Sequence, residues 1–237
     1  MQECEFYQIA IDGPSASGKG TVAKMLARKF GWLYLDTGAL FRAITLHFMR
    51  LEIPIAELDE ATVDKGIVDV KMRVECENGA TVVYLGDENV SHLLHSLDVC
   101  ELVHKVAVFP KVRKKVSDFQ NEMAAKGNLV CEGRVITSSV FPKARFKFFL
   151  TASHKVRAKR RLAQASDRDG CEKRTFKDVC RAIRERDHAD MTRPNHPLVK
   201  VRDAIVIYND RTPYDAVKKM EEIIVRCLVA DARVKEV

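Results

Sequence analysis

A chain of 237 residues is long for one ordinary domain and short for two, so a single core carrying insertions is the economical organisation. Its 46% hydrophobic content excludes general disorder. The formal net charge of +7 admits nucleic acid, an anionic membrane or small phosphorylated ligands as partners, but no basic run of five or more is present and the arginines gather in the second half.

The first element in the chain is also the most telling. A short apolar strand at residues 7–11 leads through Asp12 into Gly13-Pro14-Ser15-Ala16-Ser17-Gly18-Lys19-Gly20-Thr21. Two glycines bracket four residues whose backbone N–H groups can wrap a phosphate, and Lys19 adds a positive charge at the β- and γ-phosphates. The helix that follows carries Val22, Met25, Leu26 and Phe30 at helical spacing, so its positive dipole end faces the same anion. This grips a nucleoside triphosphate. A turn that merely caps a helix has no use for the lysine.

Further along, residues 32–35, 129–131, 146–150 and 204–208 are brief and apolar, each reading as a buried strand. Helical stretches fill the gaps, the signature of a parallel sheet covered on both faces. Residues 70–76 alternate apolar and polar, Asn78-Gly79 supplies a hairpin turn and residues 80–85 return, which makes an antiparallel insert bounded near residues 66 and 98. His92 and His95 are spaced to share a helix face, with no third ligand to complete a zinc set. Residues 154–164 form a strongly basic helix and 165–174 a polar stretch; such a segment buries little and is expected to move. Residues 213–229 read as an amphipathic helix. Seven cysteines, Cys4, Cys76, Cys100, Cys131, Cys171, Cys180 and Cys227, show no Cys-x-x-Cys pair and fit reduced thiols. With Glu3 and Glu5 ahead of the first strand and no long apolar stretch, the expectation is a soluble, cytoplasmic protein without a membrane partner.

Glycine follows the lysine where the general phosphate-loop motif has Ser or Thr, and the hydroxyl comes one place later at Thr21; that variant resembles nucleoside monophosphate kinases more than GTPases. Other blocks extend the resemblance, specifically to the bacterial cytidylate kinase family, from Ile9 to about Asp210. They are Asp36-Thr37-Gly38-Ala39-Leu40-Phe41-Arg42, Glu132-Gly133-Arg134 followed by Val140-Phe141-Pro142, and Glu185-Arg186-Asp187 with Asp190, Arg193 and Pro197-Leu198. The insert, with Val106-Ala107, Phe109-Pro110 and Val112-Arg113 behind it, is similar to that family's nucleotide-binding insert. The resemblance implies an α/β fold with a phosphate-loop kinase core at 1–65 and 99–237, an acceptor-binding insert at 66–98 and a short helical lid within about 154–174.

It also implies roles. The reaction is ATP-dependent phosphorylation of CMP and dCMP, with Mg²⁺ accompanying ATP, no nucleic-acid partner and a monomeric enzyme. Thr37 and Arg42 would hold the acceptor nucleotide, Arg134 and Arg186 the acceptor or transferring phosphate, Asp190 the ribose hydroxyls, and Arg113 and Arg193 the base. Arg157, Arg160 and Arg161 would close over the γ-phosphate, and Asp36 and Glu132 would order Mg²⁺-bound water. The number of cations has a physical reason: two unit like charges about 4 Å apart repel by roughly 4 kcal/mol at an effective dielectric near 20, and this reaction brings two polyanions together. No strong base is needed, because the attacking phosphate oxygen, with a second pKa of about 6, is already ionised near neutrality.

Three departures from the family pattern fall on the base-reading side. Val135 stands where the family has an aspartate, Phe41 replaces a tyrosine, and His104 stands where a serine is usual. A carboxylate-to-amino contact gives about 1–3 kcal/mol of base discrimination, so a weakened preference for CMP over UMP is expected. The weaker match at Ile136-Thr137-Ser138-Ser139 also suggests an altered path after Arg134. Two other readings stay open on sequence alone: a kinase of UMP or another small molecule, and a non-catalytic nucleotide- or RNA-binding protein.

Overall fold

A computed structural model describes residues 6–51, 53–77, 80–166 and 175–235. Ile9, Ala10 and Ile11 are all fully buried in β1 (Gln8–Asp12), as a strand shielded on both faces requires. After it come α1 (Lys19–Phe30), β2 (Leu33–Asp36), α2 (Thr37–Arg50), a 3₁₀ turn (Ile55–Glu57) and α3 (Glu60–Gly66). An antiparallel group follows, β3 (Met72–Glu77), β4 (Ala80–Leu85) and β5 (Glu88–Asn89), then α4 (Leu97–Val106) and α5 (Pro110–Ala124). The chain closes with β6 (Leu129–Gly133), a π-helical turn (Ile136–Val140), β7 (Phe146–Thr151), α6 (His154–Ser166), α7 (Phe176–Thr192), β8 (Ile205–Tyr208) and α8 (Pro213–Lys235). The fold is α/β: a five-stranded parallel sheet in the order β2-β6-β1-β7-β8, flanked by helices, and a small antiparallel sheet in the order β3-β4-β5. Among the described residues no helix is long and apolar enough to cross a membrane.

The chain divides into two compact units. One is built from Trp32–Leu129 with Phe6, the other from Tyr7–Gly31 and the described residues from Val130 onward. In the second unit β1 pairs in parallel with β7, setting Ile9 against Phe146 and Ile11 against Phe148, and β7 pairs in parallel with β8. Phe146, Phe148 and Leu150 alternate into the core along β7. Helix α1 stops where Gly31 takes a left-handed conformation (φ 66°) and returns its N–H to Ala27 O. Lys29 then pairs with Glu221 of α8 at 2.8 Å.

The first unit is organised around α2, whose Leu40, Ala43, Ile44 and Phe48 are fully buried. Its sheet pairs Met72 with Leu85 and Val74 with Val83; the Arg73 guanidinium lies over the ring of its cross-strand neighbour Tyr84 at 3.9 Å. Thr81 Oγ1 donates to Tyr34 O at 2.6 Å, fastening this sheet to β2. The Asn78-Gly79 turn lies outside the described residues.

Four expectations are corrected. Strand β8 is not buried throughout: it closes the sheet, so Ile207 points inward while Ile205 and Tyr208 are exposed, Tyr208 to 66%. His92 and His95 do not share a helix, because residues 91–96 run as turns before α4 begins. Helix α8 runs to Lys235, past the expected end at 229. The basic helix α6 is not poorly buried either. Ala158 joins Val179 and Ile183 of α7 in a core cluster, with Leu162 packed against it, and Arg157 is buried because it is paired. The remainder of the expected lid, 167–174, lies outside the described residues. Cys100, Cys131, Cys180 and Cys227 are thiols, none in a disulfide.

Candidate active site

Both loop glycines are required by close approaches. A Cβ at Gly13 (φ 155°) would lie 2.0 Å from Leu150 O, and one at Gly18 (φ 92°) 2.6 Å from Asn209 Nδ2. Between them the backbone curls so that Lys19, only 5% exposed, donates from Nζ to Gly13 O and Pro14 O at 2.9 Å each and reaches Ser17 Oγ at 3.5 Å. Burial pushes the Lys19 pKa down to about 7; nearby Arg134 acts in the same direction, while Glu132, Asp12 and Asp190 oppose. An ammonium so placed gains most from an arriving polyanion.

Arg134, at the end of β6, donates from Nε to Asp190 Oδ2 at 2.9 Å. Asp190 is 3% exposed and also receives Arg186 Nε at 3.4 Å and Arg193 Nη1 at 3.5 Å, while Arg193 Nε donates to His196 O at 2.6 Å. Burial would raise the Asp190 pKa, yet the charges of Arg134, Arg186 and Arg193 together hold it below the usual carboxylate value. Burial pushes the Arg193 pKa down, with Arg134 and Arg186 adding to it and Asp190 opposing. Three guanidinium groups are thus gathered on one buried anion.

Arg157 and Arg160, which fall in the expected lid, engage backbone carbonyls. Arg157 Nη1 donates to Ser15 O at 3.1 Å and Arg160 Nη1 to Ser17 O at 3.3 Å; Arg160 Nη2 also donates to Asn209 O at 2.7 Å. Arg161 is exposed.

In the other unit, Asp36 caps α2, its Oδ1 accepting from Ala39 N at 3.0 Å and its Oδ2 from Arg42 Nη2 at 3.2 Å. Thr37 Oγ1 accepts from Gln120 Nε2 at 2.9 Å. The Arg113 guanidinium lies 5.9 Å from the Phe41 ring centroid, and His104 is exposed near the end of α4. Thr37, Phe41, Arg42 and Arg113 therefore sit in one unit, and Lys19, Arg134, Arg157, Arg160, Arg186, Asp190 and Arg193 in the other. Among the described residues no group of three or more His, Cys, Asp or Glu could by itself hold a metal ion.

Sequence reasoning missed Asp12, Asp187, Asn209 and Gln120 as site residues. Asp12 is fully buried and binds the turn after Arg134: Oδ1 accepts Ile136 N at 2.9 Å, and Oδ2 accepts Thr137 N at 2.7 Å and Thr137 Oγ1 at 2.6 Å. Here lies the altered path at 136–140, a π-helical turn tied to the end of β1. Asp12 and Asn209 each end or follow a parallel strand at its carboxyl end, where ligands of such sheets gather, and that position was a usable signal.

An Asp190→Asn variant is expected to lose about 2–4 kcal/mol of stability at pH 7, since three guanidinium groups would crowd without an anion. The sign with pH follows from the lowered carboxyl: its contribution is complete above the unfolded value of 3.8 and is lost as pH falls through the lower folded value. Denaturant unfolding from pH 7 down to 2 should show the two proteins converging below about pH 4. Parallel curves over that range would contradict the assignment.

The cytidylate kinase family model matches residues 9–227. A cytidylate kinase of Carboxydothermus hydrogenoformans is 36% identical, over 97% of this chain and 99% of its own. A cytidylate kinase of Porphyromonas gingivalis is 40% identical, over 85% of this chain and 88% of its own. The fold is similar to the crystal structure of TT1252 from Thermus thermophilus, with a TM-score of 0.50 at 18% identity, covering 94% of this chain and 98% of that one.

Proposed function

Because the chain belongs to the cytidylate kinase family, we propose that it transfers the γ-phosphoryl group of ATP to CMP and dCMP with a reduced preference for cytosine over uracil. The observation that carries the catalytic reading is the buried Lys19 ammonium in a loop shaped for phosphate, beside a carboxylate holding Arg134, Arg186 and Arg193. In this reading Gly13–Thr21 wraps the ATP phosphates. Lys19 and Arg160 move from loop carbonyls to phosphate oxygens, while Arg157 stays on Ser15 O. Thr37, Arg42, Arg134 and Arg186 hold the acceptor phosphate, Asp190 the ribose, and Phe41, His104, Arg113 and Arg193 surround the base.

The chain's own work is positioning and charge neutralisation. An ionised acceptor phosphate oxygen attacks the γ-phosphorus in line, and no side chain removes a proton. The chemistry that Mg²⁺ accompanying ATP would supply is charge neutralisation of the phosphates. Glu132, close enough to Lys19 to oppose loss of its proton, offers the hard oxygen donor that Mg²⁺ prefers, usually through water. The Asp36 oxygens that accept from Ala39 and Arg42 retain lone pairs for a water-mediated contact. ATP and CMP or dCMP are the partners this reading names, with the protein acting as a monomer and without nucleic acid.

Relaxed base choice rests on Val135, whose side chain cannot accept a hydrogen bond from the cytosine amino group. Coupled ADP-release assays with ATP and CMP, dCMP or UMP are expected to give turnover with all three, CMP exceeding UMP in kcat/KM by less than about a thousandfold. A larger ratio removes the relaxed preference, and no ADP with any acceptor removes the kinase reading.

A further inference from the structure

Helix α7 presents two buried carboxylates three residues apart, and the ribose role given to Asp190 accounts for only one. The other, Asp187, turns to the phosphate loop. Its Oδ1 accepts the Ser15 amide proton at 3.1 Å and its Oδ2 accepts from Arg157 Nη1 at 2.5 Å. The same Arg157 nitrogen donates to the Ser15 carbonyl at 3.1 Å, while Arg157 Nε is fixed on Ala152 O at 3.1 Å. Both backbone polar groups of Ser15 are therefore held from outside the loop.

The residue so delivered is unusual. Ala16 has a φ of 56°, in the left-handed region where a Cβ is disfavoured, and its side chain packs against the cluster of Ala158, Val179 and Ile183. A left-handed residue lets successive N–H groups converge on one anion, so this strain serves phosphate binding. Strained backbone persists only where its surroundings over-determine it. Ser15, gripped at both ends, is that surrounding.

We propose that Asp187 is a positioning residue of the donor loop, which with Arg157 clamps Ser15 and holds Ala16 in the left-handed conformation that shapes the loop for a triphosphate. It acts through Ser15 and Arg157 and makes no contact with the reacting phosphates. The inference rests on the kinase reading only in taking ATP as the loop's ligand.

The test is ATP binding by calorimetry, without acceptor, to the full chain and to Asp187→Asn, Ala16→Gly and the double variant. Asp187→Asn is expected to weaken ATP binding by about tenfold or more and to leave CMP binding within about threefold. In the Ala16→Gly background the same replacement should cost about threefold or less, because glycine takes positive φ without strain. A merely structural carboxylate would show no such relief. Unchanged ATP affinity in a folded Asp187→Asn, or equal losses in both backgrounds, overturns the proposal. Should Asp187→Asn fail to fold, Asp187→Glu keeps the charge for Arg157 and displaces it by one methylene. An intermediate loss relieved by Ala16→Gly supports the clamp, and no loss overturns it. A wild-type protein that binds ATP but does not phosphorylate CMP would strike the acceptor assignment and leave the clamp standing.

Discussion

Lys19→Met is expected to reduce CMP phosphorylation by about 10³-fold or more while leaving the protein no less stable than wild type at pH 6. The two effects have one origin. A cation 5% exposed, facing Arg134, is held at an electrostatic disadvantage that shows as a pKa lowered from 10.5 to about 7. Below pH 7 both folded and unfolded chains carry the proton, so the disadvantage is complete; between about 7 and 10.5 the unfolded chain binds more protons than the folded one, and stability rises with pH. Methionine matches the length without the charge and lacks that rise. Set against this, the contacts to Gly13 O and Pro14 O are lost, each of ordinary worth, about 1 kcal/mol. The decisive measurement is the difference in unfolding free energy between the two proteins from pH 6 to pH 10, since other groups titrating alike cancel. A gap that does not move in favour of wild type as pH rises would show that Lys19 is not destabilised by its site. A second reading of the same shift is proton uptake: ATP binding at pH 8 should draw close to one proton from the buffer, seen by calorimetry in buffers of differing ionisation heat.

What could be read from the residues follows their range of action. The donor loop was legible because its signal is local: strand, two glycines, lysine and helix are contiguous, and each constrains the next. The arginines were legible through their motifs, but not their common partner. That Arg134, Arg186 and Arg193 meet on Asp190 depends on bringing β6 to α7, and nothing in 134 or 190 alone announces it. Asp187 was hidden for the same reason, as one more charged residue on a helix already rich in them until Ser15 arrives beside it. The error on α6 has a different cause. Composition counted its charges as a bar to burial, whereas a guanidinium paired with a carboxylate and with backbone carbonyls can be buried at its stem and head alike. The exposure of β8 shows the converse, because an apolar run is not by itself a central strand and only the sheet order reveals an edge.

The same charges explain why binding two nucleotides is compatible with a stable fold. In the second unit the arginines are not stored as a naked positive field: Arg134, Arg186 and Arg193 rest on Asp190, and Arg157 on Asp187. In the first, Arg42 rests on Asp36. In the proposed reading phosphates compete with Asp190 and Asp36 rather than meet unpaired cations, so part of each interaction energy is spent on exchange. That reading implies a moderated affinity and an easier release of the product diphosphates.

Asp12→Ala is expected to be the most damaging single replacement for the fold. The carboxylate is 0% exposed and accepts three donors, the amides of Ile136 and Thr137 and the Thr137 hydroxyl. Ile136 and Thr137 are themselves 0% and 2% exposed, so alanine would strand their donors away from water. Each buried amide left without an acceptor costs about 1–3 kcal/mol, which puts the loss at about 3 kcal/mol or more and the fall in Tm on the order of 10 °C for a chain of this size. Thr137→Ala removes only the hydroxyl and should cost about 1 kcal/mol, so the two variants rank the backbone contacts above the side-chain one. Activity should suffer beyond the loss of folded protein, for two separable reasons. The π-helical turn at Ile136–Val140 follows directly on Arg134, and releasing it frees the strand end that sets this guanidinium against Asp190. Asp12 also helps Lys19 keep its proton, so in its absence the Lys19 pKa falls further and kcat/KM for ATP should decline at a lower pH than in wild type. Thermal melts and pH profiles of kcat/KM taken well below the lowered Tm separate the effects. An Asp12→Ala protein melting within about 2 °C of wild type would mean that water replaces the carboxylate at Ile136 and Thr137, and the turn would then have to be held by something other than this anchor.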